Sequence, residues 1–199
     1  MAIMISALVA GVGVAGMSLA AFTPRFIRQR RIARIERFVF PRTIATKVQE
    51  QFPHLSDGQV ELVMQALRQY FIVTVLAKGR MVSMPSKGVD AAWHEFILFT
   101  RAYQVFCRKN LGRFLHHTPA EAMSTPTMAQ EGIRRAWKLA CAREHISAKT
   151  PHKLPLLFAI DDLLDIPGGY KYVLHCGANA KEGDPYCASH AGCGGGCGG

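Results

Sequence analysis

The side chains best suited to chemistry are concentrated around Trp93, in the middle of this 199-residue chain. Asp90 and His94 are four residues apart, so a helix places the carboxylate and the imidazole on one face, with Trp93 packed beside them. The carboxylate can then orient the imidazole, or both groups can bind a metal ion. The pattern therefore predicts either a metal site or a buried histidine that is braced by its own helix neighbour.

A second set of metal ligands follows and comprises Cys107, His116 and His117. In one straight helix, His94 and Cys107 would lie about 20 Å apart and could not share an ion. The segment after Asn110 is also too short to return either histidine to His94. About seven residues span at most about 23 Å, whereas the way back along a straight helix is roughly 24 Å. We therefore expect His116 and His117 near Cys107, either in a second metal site or in a loop that closes over the helix end.

The C-terminal tail holds a third set of ligands. The last 24 residues contain 8 of the 18 glycines and 4 of the 6 cysteines, and almost nothing that could build a core. Cys187, His190, Cys193 and Cys197 are ligands of the type that zinc or another soft transition metal prefers. The alternatives are a flexible tail of reduced thiols or, in an oxidising compartment, a disulfide-bonded one.

No phosphate-binding glycine loop, nucleophile elbow or pair of catalytic carboxylates occurs in the sequence. The sequence therefore favours a protein that binds a transition metal or an unidentified protein partner and is not an enzyme. The competing class is a membrane-tethered metalloenzyme centred on Asp90 and His94. A bound metal with an open coordination position would favour the enzyme, and a closed Cys/His site would favour a structural or metal-handling module.

The elements that must position these groups are mainly helices. A capping box formed by Ser56 and Gln59 precedes an apolar periodic stretch, which predicts a helix up to Ala77. A second helix should run unbroken from Ser86 to about Asn110. Further helices are predicted from Thr118, over 125–146 and over 154–164, with short strands over 80–84 and 170–174 that imply one small β-hairpin.

The first 22 residues contain no charged side chain. As a helix they would be about 33 Å long, enough to cross a bilayer core of about 30 Å. Eight basic residues and one acidic residue follow between Arg25 and Lys47, and they carry +7 of the formal net charge of +10. This positive flank predicts a single-pass membrane protein with its N-terminus outside the cell and its domain in the cytoplasm. A cleavable signal peptide is the alternative.

The basic segment itself interleaves arginines with apolar residues. That pattern is typical of an amphipathic helix lying on anionic headgroups of a lipid bilayer, and equally of a stalk that continues the anchor. Because the basic excess is local, no nucleic-acid partner is expected. The chain thus divides into a transmembrane anchor (1–23), a basic juxtamembrane segment (24–50), a helical domain (51–175) and a Gly/Cys-rich tail (176–199).

The run MPSKGVDAAWHEFILFTRAYQVFCRKNLGRFLHHTP, residues 84–119, resembles an uncharacterised group of bacterial membrane proteins. That resemblance covers most of the chain, including the Gly/Cys-rich tail. The stretch from Asp90 to His117 is also similar to plant glycine-rich domain-containing proteins, whose pattern reads D-x-x-W-H-x-H. This chain has Phe96 at the second histidine of that pattern, and the resemblance implies no established activity.

Overall fold

The computed structural model describes residues 24–117, 126–174 and 186–187, and the fold they form is mainly helical. Residues 24–36 are helical and are termed α1. The elements that follow are α2 (Arg42–Gln51), α3 (Asp57–Leu76), α4 (Lys87–Leu98), α5 (Thr100–Phe106), a π-helix (Cys107–Leu111), α6 (Pro126–Arg143), α7 (Leu156–Leu163), β1 (Tyr172–Val173) and β2 (Tyr186–Cys187).

Helix α3 is the centre of the core. Its predicted capping box is confirmed, because the Ser56 hydroxyl accepts from the Gln59 backbone while the Gln59 side chain accepts from the Ser56 backbone. The helix contacts α2, α4, α6 and α7. A helix surrounded in this way must be apolar on several faces, and its buried residues are Val60, Val63, Met64, Ala66, Leu67, Tyr70, Phe71, Ile72, Val73 and Thr74.

A cluster of phenylalanines joins the N-terminal helices to α3, α4 and α5. The ring of Phe106 lies 4.7 Å from that of Phe38 and 4.8 Å from that of Phe71, between ring centroids. Ile35 of α1 and Ile44 of α2 are fully buried in the same core. The core therefore extends into residues 24–50, which the sequence predicts to be a segment beside the membrane.

The helix expected to run unbroken from Ser86 to Asn110 is interrupted at Phe99, where ψ is 58°. The break brings Phe96 and Phe106 together with a centroid distance of 5.2 Å. In a straight helix, ten residues would separate them by about 15 Å along the axis. Burial of both rings in the phenylalanine cluster thus requires the bend, although neither glycine nor proline marks it in the sequence.

The prediction of a single-pass membrane protein is wrong. Within residues 24–117, 126–174 and 186–187, no helix combines the length and the apolar character needed to cross a bilayer. The predicted anchor, residues 1–23, lies outside the described residues. The predicted localisation, with the N-terminus outside the cell and the domain in the cytoplasm, depended on that anchor and is corrected with it.

The predicted β-hairpin is also wrong. Residues 80–84 form no strand, and β1 pairs with β2 in parallel, with Tyr172 opposite Tyr186 and Val173 opposite Cys187. A hairpin joins antiparallel strands through a tight turn, whereas a parallel pair requires a longer connection. The helix predicted from Thr118 and most of the predicted tail lie outside the described residues.

Candidate metal centre

Helix α4 carries Asp90 and His94, and its first turn is held firmly by α7. Ser86 is the N-cap residue, and its hydroxyl donates to the buried Asp161 carboxylate at 2.6 Å. Two backbone N–H groups of the first turn donate to the same carboxylate at 2.7 and 3.1 Å. A carboxylate is favourable there because the helix dipole and the unpaired N–H groups both attract negative charge. The start of α4, one turn before Asp90, is therefore fixed.

Asp90 and His94 lie on one face of α4, as their spacing predicts. Asp90 Oδ2 is 3.7 Å from His94 Nδ1. The His94 side chain is 52% exposed and that of Asp90 is 29% exposed. This pair is therefore open to solvent on one side, unlike a histidine buried in the core.

His117 completes a group of three ligands with this pair. Its Nε2 is hydrogen-bonded to Asp90 Oδ1 at 2.8 Å, and its ring centroid lies 4.1 Å from that of His94. One ligand atom from each of the three residues lies within 4.8 Å of the other two. His117 is the most enclosed of the three, with a side-chain exposure of 14%.

His117 reaches Asp90 because the preceding helix is bent, contrary to the straight-helix reasoning from the sequence. After the bend at Phe99 and the π-helix, Gly112 adopts a left-handed backbone with φ of 77°. An Arg31 Nη1–H group donates to the last π-helix carbonyl, that of Leu111, at 3.2 Å. From there residues 113–117 form no helix and return toward α4.

A buried hydrogen-bond relay fixes this returning segment two residues before His117. The Trp93 indole N–H donates to the Tyr103 hydroxyl at 3.1 Å, and that hydroxyl donates to the Leu115 carbonyl at 2.6 Å. Burial raises the pKa of Tyr103 far above its usual value, so the hydroxyl keeps the proton that it donates. The Trp93 ring also contacts His117, with centroids 4.6 Å apart.

The other predicted ligands of this region do not join the group. Cys107 is fully buried, and burial raises the pKa of its thiol, which disfavours the thiolate that metals bind. The His116 ring packs against Phe114 at a centroid distance of 4.8 Å. Among the described side chains, Asp90, His94 and His117 are the one cluster of three with metal-ligand geometry.

Cys141 and His145 are also four residues apart, at the end of α6 and just beyond it, but only Cys141 lies in the core. Cys141 is fully buried, and burial raises the pKa of its thiol to about 12. His145 lies beyond the end of α6, is exposed, and has a left-handed backbone with φ of 57°. Trp137 and Cys141 are both fully buried, so this part of α6 packs in the core and offers no metal ligand.

The predicted tail ligands stay a prediction. Cys187 lies in β2, while His190, Cys193 and Cys197 lie outside the described residues.

Two imidazoles and one carboxylate form a donor set that suits several transition metals. Zinc binds imidazole nitrogen and carboxylate oxygen, usually with four ligands. Two histidines and one carboxylate with open positions are also the ligands of many non-haem iron(II) sites. An ion bound here would replace the direct hydrogen bond between His117 and Asp90. Without an ion, the same hydrogen bond braces the returning segment against α4.

Sequence reasoning did not identify the role of Tyr103 or connect His117 with Asp90. Tyr103 could be read only as part of the apolar stripe of a long helix. The available signal was Gly112, which marks the end of the helical segment and permits a sharp change of direction. Nothing in the sequence indicated how far back the chain turns.

Comparison with known protein families identifies a family for this chain. The UCP032817-like family matches residues 30–193, which is most of the chain. No curated protein and no solved structure matches the chain. The match begins inside α1, so it includes the part of that helix that packs on the core.

Proposed function

The chain belongs to the UCP032817-like family, and we propose that it binds a divalent transition-metal ion through Asp90, His94 and His117. The observation that carries the proposal is the convergence of these three side chains, since His117 lies 27 residues after Asp90 in the chain and still contacts its carboxylate. The proposal covers the helical domain alone. The resemblance to glycine-rich domain-containing proteins and the metal site in the tail stay predictions.

The arrangement provides more ligand capacity than a structural brace needs. A brace requires one hydrogen bond, which His117 and Asp90 already make. His94 adds a second imidazole on the same carboxylate and remains about half exposed, so it stabilises little by burial. The hydrogen bond from Tyr103 to Leu115 fixes the segment that carries His117. In known metal sites, hydrogen bonds from residues around the ligands orient those ligands in the same way. Together these features support a preorganised ion site.

The second candidate function is a metalloenzyme at the same site. Three protein ligands leave at least one coordination position for water or substrate. The exposure of His94 favours this alternative, because an open position beside it would face solvent. A fourth protein ligand on the bound ion would instead favour a structural or metal-handling role. We expect no enzymatic activity, in line with the absence of catalytic motifs from the sequence.

Metal content separates the proposed site from the tail. We expect the purified full chain, incubated with zinc and desalted, to retain one ion per chain at the helical site. A variant with Cys187, Cys193 and Cys197 replaced by serine should retain that ion. Loss of all zinc from this variant, or no zinc on the wild-type chain, would overturn the proposal. Elemental analysis against protein concentration provides the measurement.

Replacing Tyr103 by phenylalanine should weaken zinc binding about tenfold or more, while the fold remains. The variant loses the hydroxyl that holds the Leu115 carbonyl. Loss of a hydrogen bond that positions a metal ligand usually lowers metal affinity by about 10–100-fold. Tyr70→Phe is the matched control, because the buried Tyr70 hydroxyl donates to the Val82 carbonyl at 3.1 Å, away from the returning segment. Equal zinc affinities of the two variants, measured by competition with a chelating dye, would contradict the role of Tyr103.

A further inference from the structure

Helix α1 presents one strongly basic face to solvent. Phe26, Ile27, Arg30, Arg34 and Arg37 recur at helical spacing along one side of residues 24–37, and all five are exposed. We term this set the basic face. From Phe26 to Arg37 it extends about 17 Å, at 1.5 Å per residue. Phe26 and Ile27 at its beginning are 47% and 49% exposed.

The opposite side of α1 is packed on the domain. Ile32 and Ile35 are buried in the core, and Arg31 donates to the Leu111 carbonyl. Glu36, the one acidic residue between Arg25 and Lys47, forms an ion pair with Arg143 of α6. The helix is thus held with its basic face outward, and its single carboxylate is already occupied.

Within the part of the chain that the structure describes, no acidic side chain neutralises the arginines of the basic face. Among the described residues, Arg30, Arg34 and Arg37 form no ion pair with an acidic side chain. The Arg30 guanidinium lies over the Phe26 ring, 4.4 Å from its centroid. The basic face therefore presents to solvent a cationic row that begins with two apolar side chains, each about half exposed.

We propose that the basic face binds the surface of an anionic phospholipid bilayer. The arginines match the negative phosphate and serine headgroups, while Phe26 and Ile27 insert among them at the start of the helix. Arginine side chains suit this position because their stems lie along apolar surface and their guanidinium groups remain at the headgroups. The contact is with the headgroup surface and requires no helix that spans the bilayer.

Two features favour lipid over nucleic acid as the partner. The basic excess is confined to one short segment, whereas a nucleic-acid face usually spreads over a domain. Phe26 and Ile27 also lie together at the beginning of the cationic row, where the apolar boundary beneath lipid headgroups can bury both side chains, whereas a duplex presents its charged backbone there. This inference is independent of the proposed metal site.

Sedimentation with vesicles tests the proposal on the full chain. Vesicles of phosphatidylcholine with about a third phosphatidylserine should bind the protein, and pure phosphatidylcholine vesicles should bind it far less. Arg30→Gln, Arg34→Gln and Arg37→Gln together should weaken binding roughly 100-fold, because each arginine near such a surface contributes about fivefold. Binding should also fall at 1 M salt, where charges are screened within about 3 Å.

The matched control is the triple variant Lys138→Gln, Lys149→Gln and Lys153→Gln, which removes the same charge from exposed positions outside the basic face. It should bind anionic vesicles within about threefold of the wild-type chain. Equal loss in both triple variants would show a net-charge effect and overturn the proposal. So would equal binding of neutral vesicles, or displacement of the protein from anionic vesicles by a short oligonucleotide at equimolar phosphate.

Discussion

Replacing Asp161 by asparagine should lower the free energy of unfolding by about 3 kcal/mol or more. The Asp161 side chain is buried and accepts hydrogen bonds from the Ser86 hydroxyl and from three backbone N–H groups, those of Lys87, Gly88 and Tyr170. Asparagine removes the charge that strengthens these bonds, and its NH₂ group points a donor at another donor. The start of α4 would then lose its attachment to α7.

Asp162→Asn is the matched control for this prediction. Asp162 is the next residue in α7, but it is 57% exposed, and among the described residues its ion pair is with Lys171, at 3.2 Å. An exposed ion pair of this kind usually contributes less than about 1 kcal/mol. Urea unfolding followed by circular dichroism gives both values. Similar midpoints for the two variants would show that the Asp161 contacts do not stabilise the fold.

Replacing His117 by alanine should weaken zinc binding by about 100-fold or more. Changes to residues that only hydrogen-bond to a metal ligand usually lower metal affinity by about 10–100-fold, and loss of a ligand itself should cost more. His117 is the ligand that closes the site, because it approaches Asp90 from outside α4. Asp90 and His94 would remain as two ligands on one helix turn, which is too few for a strong site. Isothermal titration with zinc should show this loss while the helical content is kept.

His116→Ala tests whether the effect belongs to His117 itself. His116 is adjacent in the chain, but its ring packs on Phe114 and not on Asp90. Its removal should change zinc affinity less than about threefold. If both alanine variants lose affinity equally, the returning segment as a whole would be responsible, and His117 would not be the ligand.

The helices that could be predicted are those whose capping residues and apolar periodicity agree with their packing in the fold. Helix α3 has both a capping box and an apolar period, and each is independent of the rest of the fold. The bend at Phe99 has no such local signal, because it results from the burial of Phe96 and Phe106 in one cluster. Tertiary packing therefore overrides a helical pattern that appears continuous in the sequence.

The amphipathic pattern around Ile32 and Ile35 shows a second limit of sequence reasoning. Apolar residues interleaved with arginines predict a helix with two faces, and residues 24–36 are helical. The pattern is the same whether the apolar face meets a bilayer or a protein core. In the structure, Ile32 and Ile35 face the core, which the sequence could not distinguish from lipid.

Two of the three ligands of the candidate site follow from spacing alone. Asp90 and His94 share a face because any helix brings residues four apart together. His117 depends in part on Gly112, whose local backbone signal does not fix how far the chain turns. It also depends on the bend and on the relay through Tyr103, which join residues ten or more positions apart in the chain. Its distance from Asp90 was therefore overestimated by assuming a straight helix.

X-ray absorption of the zinc-loaded full chain tests the central claim most directly, because it identifies the atoms around the ion. Two imidazole nitrogens and carboxylate oxygen from Asp90, His94 and His117 predict nitrogen and oxygen neighbours at about 2.0–2.2 Å, and no sulfur. The spectrum should show multiple scattering from two imidazole rings and should lose one ring in His117→Ala. A sulfur shell at about 2.3 Å would place the ion on cysteine thiolates and contradict the assignment.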